Sequence, residues 1–325
     1  VKNYNVRLYR ESDFEKWNAF IEKAKNATFL FNRDFMEYHN DRFSDFSLVV
    51  EQDQKWIAVL PANVVAETVF SHQGLTYGGL VYDEKVKLDS VLEIFRRILI
   101  LLKNKNIATL QLKLVPSFYS NFASEEVNYA LFLAEAKLIR RDTNAVIDLQ
   151  QNFTIAKGRM QGVLKARKLN LVVREEHDFE LFWNQILIPN LAENHDAKPV
   201  HSLEEIQKLQ CKFPNDIRQF NVYHENKIVA GTTIFETKNV AHAQYIAGDA
   251  DKGSLGSVDF LYHYLLTSVF KDKRYFDFGI SNENQGKNLN KGLSYWKESF
   301  GANTVVQDFY EVPTANSHLL ENVLI

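Results

Sequence analysis

Cysteine is nearly absent. A single residue, Cys211, in a chain of 325 excludes an intramolecular disulfide framework and favours a reducing compartment. Long hydrophobic runs are missing too, since no apolar stretch approaches the ~18 residues that a membrane-spanning helix needs. The opening, Val1 to Arg10, carries no signal-peptide hydrophobic segment, and it begins on Val rather than Met, which reads as a trimmed or a non-standard start. An excess of one charge is also lacking. A net charge of −3 and a pI of about 6.3 argue against a protein devoted to polyanion binding and against DNA as a partner. There is neither a Walker loop nor a GxSxG elbow. His195 stands between Glu193 and Asp196, but no second cluster has the spacing of a metal site. What remains is a cytoplasmic globular protein without a metal. Its 24 Phe, 14 Tyr and 4 Trp supply ample core for two domains.

The order of elements repeats. In the second half, "DIRQFNVYH" and "IVAGTTIFE" read as a hairpin and "VAHAQYIAG" as a third strand. A loop with Gly253 and Gly256 follows, and then a helical face of Val258, Leu261, Tyr262, Leu265 and Val269. The apolar run Tyr275 to Ile280 predicts a buried strand. Leu289, Leu293, Trp296 and Phe300 predict a helix that Gly301 closes, and "TVVQDFYEV" is the last strand. The first half runs through the same series. "FSLVVE" and "KWIAVLPANVV" form a hairpin, "GLTYGGLVY" a strand and Leu88 to Leu102 a helix; "IATLQLKLV", Glu125 to Ala136 and "LIRRDTNAVIDL" complete it. Corresponding landmarks keep an offset of 166 to 171 residues, from Ile57–Ile228 (171) to Leu138–Thr304 (166). The expectation is an α/β (α+β) chain of two domains, 1–150 and 151–325, each a mixed sheet flanked by helices.

This order, antiparallel strands, a glycine-bearing loop, a helix, a strand, a helix and a closing strand, resembles that of the acyl-CoA N-acyltransferase (GNAT) superfamily. "KGSLGSVDFLYHYLL" stands where that fold presents helix amides to the cofactor pyrophosphate. Two units in tandem resemble the FemAB group. "MQGVLKARKLNLVVREEHDFELFW" is similar to the basic helix and strand that open its second unit, and "YFDFGISNENQGKNLNKGLSYWKESFGA" to its closing strand, loop and lysine-bearing helix. The resemblance implies transfer of an acyl group, acetyl first among them, from acetyl-CoA or another acyl-CoA to the amine of a small polar acceptor. An amino sugar or amino acid of envelope biosynthesis is the implied acceptor. It also implies Gly256, Ser257 and Lys291 as cofactor contacts. Two alternatives stay open: an aminoacyl-tRNA-dependent transferase, although no long heptad segment offers the group's tRNA-binding hairpin, and a duplicated scaffold without catalysis.

The residues themselves suggest further sites. Lys165 and Arg167 belong to "KGRMQGVLKARK", five cations in twelve residues with no acid, which suits the phosphates of a cofactor as well as a solvated linker helix. His39 is a candidate general base with Asp41 to orient it, and Arg42 a candidate substrate contact or a structural tie between loops. Tyr77 lies in a glycine-rich strand, and Gln244 and Tyr245 in another, placed to orient a polar acceptor or to pack the core. Asp277 interrupts its apolar strand, where a carboxylate is costly unless paired. In a cleft it would hold or deprotonate an amine, with Asn282 and Asn284 beside it as directional amides. The competing reading is an ion pair with Arg274 or the basic helix.

Overall fold

The structure, a computed structural model, describes residues 3–324, apart from the side chains of Asn194 and His195. The chain divides into two compact units. One comprises Val1–Asp142, Gln285–Lys287 and Val306–Ile325; the other comprises Thr143–Asn284 and Asn288–Val305. Each sequence half therefore gives its closing strand to the unit built mainly by the other half.

In the first unit, Tyr4–Leu8, Leu48–Gln52, Lys55–Leu60 and Val81–Tyr82 make an antiparallel sheet. A second run of strands, Asn63–Val65, Thr68–Phe70, Thr109–Lys113 and residues 306–313, lies in that order. Its central contact, Thr68–Phe70 against Thr109–Lys113, is parallel, and 306–313 pairs antiparallel on the far side. The helix Leu88–Asn104 puts Val91, Phe95, Ile98 and Leu102 into one core with Leu110, Leu112 and Val312. The expected strand through Tyr77 is not formed; only Val81–Tyr82 of that stretch pairs as a strand. The glycines of this stretch serve a close approach instead. A Cβ on Gly78 would lie 2.0 Å from the Ser71 carbonyl oxygen, so two backbones touch there and the segment turns.

The second unit orders its strands 143–148, Tyr275–Ile280, Val240–Gly248, Lys227–Glu236, Ile217–His224 and Val172–Glu176. Only Val240–Gly248 and Tyr275–Ile280 run parallel in this set. Thr232 hydrogen-bonds Tyr262 of the helix Ser257–Tyr264, while the neighbouring Gly231 abuts Phe182, so helices cover both faces of the sheet. Phe276 and Phe278 join Tyr262 and Phe300 in the core on one face. The helix Lys291–Glu298 departs from its expected apolar stripe. Trp296 and Phe300 pack, but Leu289 belongs to a hairpin and Leu293 is largely exposed, and Lys297 is buried instead.

Candidate active site

The parallel pair of the second unit holds over three rungs, Val240–Tyr275, Ala241–Phe276 and His242–Asp277, and then opens. Beyond that rung one strand continues against Lys227–Glu236 and the other against 143–148, which makes a fork at the carboxyl end of a parallel pair. Ligands of open α/β sheets bind at such a place, because backbone groups there are not consumed by a neighbouring strand. A bulge bends each arm. Gln244 is the extra residue against Thr233 and Ile234, and Phe278–Gly279 is skipped between the rungs Asp277–Val146 and Ile280–Asn144, with Gly279 at φ +71°. The first bulge breaks alternation, so Ala243 and Ile246 both face the core that holds Phe278. Gln244 and Ile246 therefore do not share the face of His242; Tyr245 does.

At the fork His242 Nδ1 donates to Asp277 Oδ2 at 2.9 Å, and the amide of Gly279 donates to Asp277 Oδ1 at 2.7 Å. The carboxylate is 1% exposed, so both oxygens are satisfied inside the protein. Its partner is thus His242, rather than Arg274 or the basic helix. With the Nδ1 proton committed to Asp277, a neutral ring carries its lone pair on Nε2, which is the arrangement of an oriented base. Below the loop, Lys297 Nζ donates to the carbonyls of Gly279 (3.0 Å) and Ile280 (2.6 Å) and so fixes the bulge. Burial pushes this ammonium down to about 8, against the opposing pull of Asp277. Neither His242 nor Lys297 stands out in the sequence. A His in an apolar strand and a Lys in a polar helix both read as ordinary, and the pairing bridges 35 residues.

The other expected residues fall in several places. Asn282 accepts from the Thr143 amide (2.6 Å) and hydroxyl (2.8 Å), and Asn284 donates to Asn288 at 3.1 Å, so both shape the hairpin after the fork. Tyr245 is buried, with its hydroxyl 2.6 Å from His201 Nδ1 and its ring edge-on to Trp183. Tyr77 is core as well, donating to Thr28. Lys165 and Arg167 are exposed on the helix Lys157–Lys168, and Lys291 is exposed at the start of its own helix. The seat expected at Gly256 and Ser257 is covered. A Cβ on Gly256 would lie 2.3 Å from the Gly162 carbonyl of the basic helix, Ser257 is fully buried, and Asp259 in the same first turn is paired with Arg159 at 2.8 Å. His195 has its side chain outside the described residues.

His39 lies in the first unit, in a cavity of about 550 Å³ with Tyr9, Arg33, Glu37, Asp45 and His72. Its ring stacks on His72 with centroids 5.0 Å apart, while Asp41 projects into solvent beside Arg42, 3.7 Å away. Burial, together with the neighbouring His39, drives His72 down to about 3, so its ring is neutral at any physiological pH. His72 follows the end of the first unit's parallel pair, and 242 − 72 is 170, inside the offset of the repeat. Both units thus put a histidine at the fork, but only His242 has a carboxylate on it.

No protein-family model matches the sequence, and no curated protein does. Solved structures do resemble it. FemX superposes with a TM-score of 0.67 at 10% identity over 98% of this chain and 99% of that one. L-PGS from Bacillus licheniformis gives 0.62 at 14% identity over 97% and 95%. A tandem GNAT protein from the clavulanic acid biosynthesis pathway gives 0.51 at 12% identity over 97% and 99%. The chain has a GNAT/FemAB-like fold, two GNAT-like units in tandem, as its sequence led us to expect.

Proposed function

We propose that this protein is a transferase that moves an acyl or aminoacyl group onto an amine, with His242 as proton acceptor and Asp277 as the residue that orients it. The observation that carries the reading is the His242–Asp277 pair at the fork of the second unit. The attacking amine must be neutral. Its nitrogen forms a bond to the donor carbonyl carbon, the carbon–sulfur or carbon–oxygen bond of the donor breaks, and the amine proton passes to Nε2 of His242. No covalent enzyme intermediate is required. The stretch from Asn282 to Asn284 walls the acceptor side.

The donor expected from the sequence is a CoA thioester. Its pyrophosphate seat is filled here by Gly162 and Asp259, whereas Lys157, Lys165, Arg167 and Lys168 stand exposed with no ion pair among the described residues. That combination favours an aminoacyl group carried on a polyanion such as tRNA. Radiolabelled acetyl-CoA and charged tRNA, each offered with a panel of amino acids and amino sugars, test the reading. Transfer from charged tRNA that vanishes in His242→Ala supports it. Transfer that persists in this variant, or no transfer from either donor to any amine, refutes it.

A further inference from the structure

The fork of the first unit holds a different chemistry. Beyond the last rung of its parallel pair, Phe70 with Gln111, lies a cavity of about 430 Å³, a size that suits a small organic ligand. Phe70, Ile139 and Phe309 give it apolar walls, and Lys113, Arg140 and Gln285 bring polar ends to it. Both cations sit over the same ring: the Arg140 guanidinium is 4.5 Å, and Lys113 Nζ 5.6 Å, from the centre of Phe309. Two like charges on one half-buried ring are costly unless an anion shares them.

The protein supplies one. Asp142, almost wholly buried, takes Nε and Nη2 of Arg140 at 2.7–3.1 Å. Nη1 has no bond among the described residues, and Lys113 Nζ spends one proton on the Leu75 carbonyl at 2.9 Å. Glu311 is engaged by Gln111 at 2.8 Å, and the neighbouring His72, which is 4% exposed and whose Nδ1 has no partner among the described residues, is neutral. Lys113 and Arg140 against the buried Asp142 leave one positive charge at the polar end, and Glu311, hydrogen-bonded by the neutral Gln111, keeps its negative charge farther along the same strand face. Burial and the adjacent Arg140 push Lys113 down to about 8, the direction expected of a cation short of anionic partners.

We propose that this cavity binds the phosphate or carboxylate of a small molecule that also carries a ring or other apolar part. The oxyanion sits between Lys113 Nζ and Arg140 Nη1, the apolar part lies along Phe70 and Phe309, and Gln285 at the hairpin tip closes the polar end. This assignment is independent of the transferase reading, because it concerns binding alone.

Isothermal titration of the full chain with phenyl phosphate, benzoate and benzyl alcohol tests it. Saturable millimolar or tighter binding of at least one anion is expected, with none for the alcohol. The tighter anion tells whether the natural ligand is a phosphate or a carboxylate. Lys113→Met and Arg140→Gln should each weaken that binding at least tenfold. Gln285→Glu, an exposed change at the loop tip that leaves the core untouched, should abolish it even if a core variant misfolds. Failure of both anions to bind, or anion binding unaltered in Gln285→Glu and in the folded cavity variants, overturns the proposal.

Discussion

His242 and Asp277 are backbone partners and side-chain partners at once. They form the last rung of a parallel ladder, and their side chains meet at 2.9 Å on the same face of the sheet. The geometry explains why a strand otherwise made of Tyr275, Phe276, Phe278 and Ile280 tolerates a carboxylate. The ring and the Gly279 amide replace the water that Asp277 loses on folding.

The fold predicts that neither sequence half is a folding unit. A fragment 1–150 lacks residues 306–313, whose rungs Phe309–Lys113 to Pro313–Thr109 cover one edge of the Thr109–Lys113 strand and whose Val312 is fully buried. A fragment 151–325 lacks 143–148, the partner of Tyr275–Ile280. Each exposes a hydrophobic strand edge and should aggregate or show no cooperative thermal transition. Mixing the two should restore one. A cooperative transition in isolated 1–150 would contradict the assignment of strands.

Much of this was legible in the sequence. The strands Val240–Gly248 and Tyr275–Ile280 emerge from their apolar runs with the bounds the structure gives, and Asp277 stands out as the polar residue inside one of them. The partner was not legible, since a parallel rung links residues far apart and no local pattern records which strand lies beside which. The exchange of closing strands escaped for the same reason. Thr68–Phe70 is only three residues long and leaves no period to detect, whereas the glycines around Tyr77 looked like a strand because close backbone approach occurs in turns as well. Lys297 was hidden by its type: a lysine four places from Leu293 reads as solvated until the Gly279 bulge presents it with two carbonyls.

Lys297 should leave a signature in alkali. Its folded value is about 8 against an ordinary 10.5, so between those values the unfolded chain binds more protons and stability rises with pH. Wild type should gain on Lys297→Met by up to about 1.4 kcal/mol per pH unit in that window, measured by urea denaturation. Lys113 titrates in the same range in both proteins and cancels in the difference. Parallel pH curves would show that the ammonium is not paying for its burial.

His72 acts in acid. Its folded value of about 3 lies below the ordinary 6.5, so as pH falls through this interval the unfolded chain takes up the proton first and stability is lost. Wild type should therefore destabilise more steeply between pH 6.5 and 4 than His72→Gln. The difference should approach about 1.4 kcal/mol per pH unit. Equal slopes would mean that His72 is solvated or paired with a carboxylate.

The basic helix predicts a binding phenotype without a stability phenotype. Lys165 and Arg167 are exposed, so replacing both by Ala should leave the melting temperature within about 1–2 °C of wild type. Affinity for charged tRNA should fall, and the slope of log affinity against log salt should flatten by roughly 1.4–1.8 for two phosphate contacts. An unchanged slope in a filter-binding series would remove the helix from the donor site.

The most direct measurement is the pH–rate profile of Asp277→Asn on the transfer reaction, taken with its melting curve. Asn keeps the shape of Asp277 and an oxygen for the Gly279 amide, but it removes the charge that orients His242. Turnover should fall by about 10²-fold or more, with the low-pH limb, where the base is protonated, displaced and a cooperative melting transition retained. Full turnover with an unchanged profile, accompanied only by a lower melting temperature, would make the His242–Asp277 pair a structural rung and contradict the proposed mechanism.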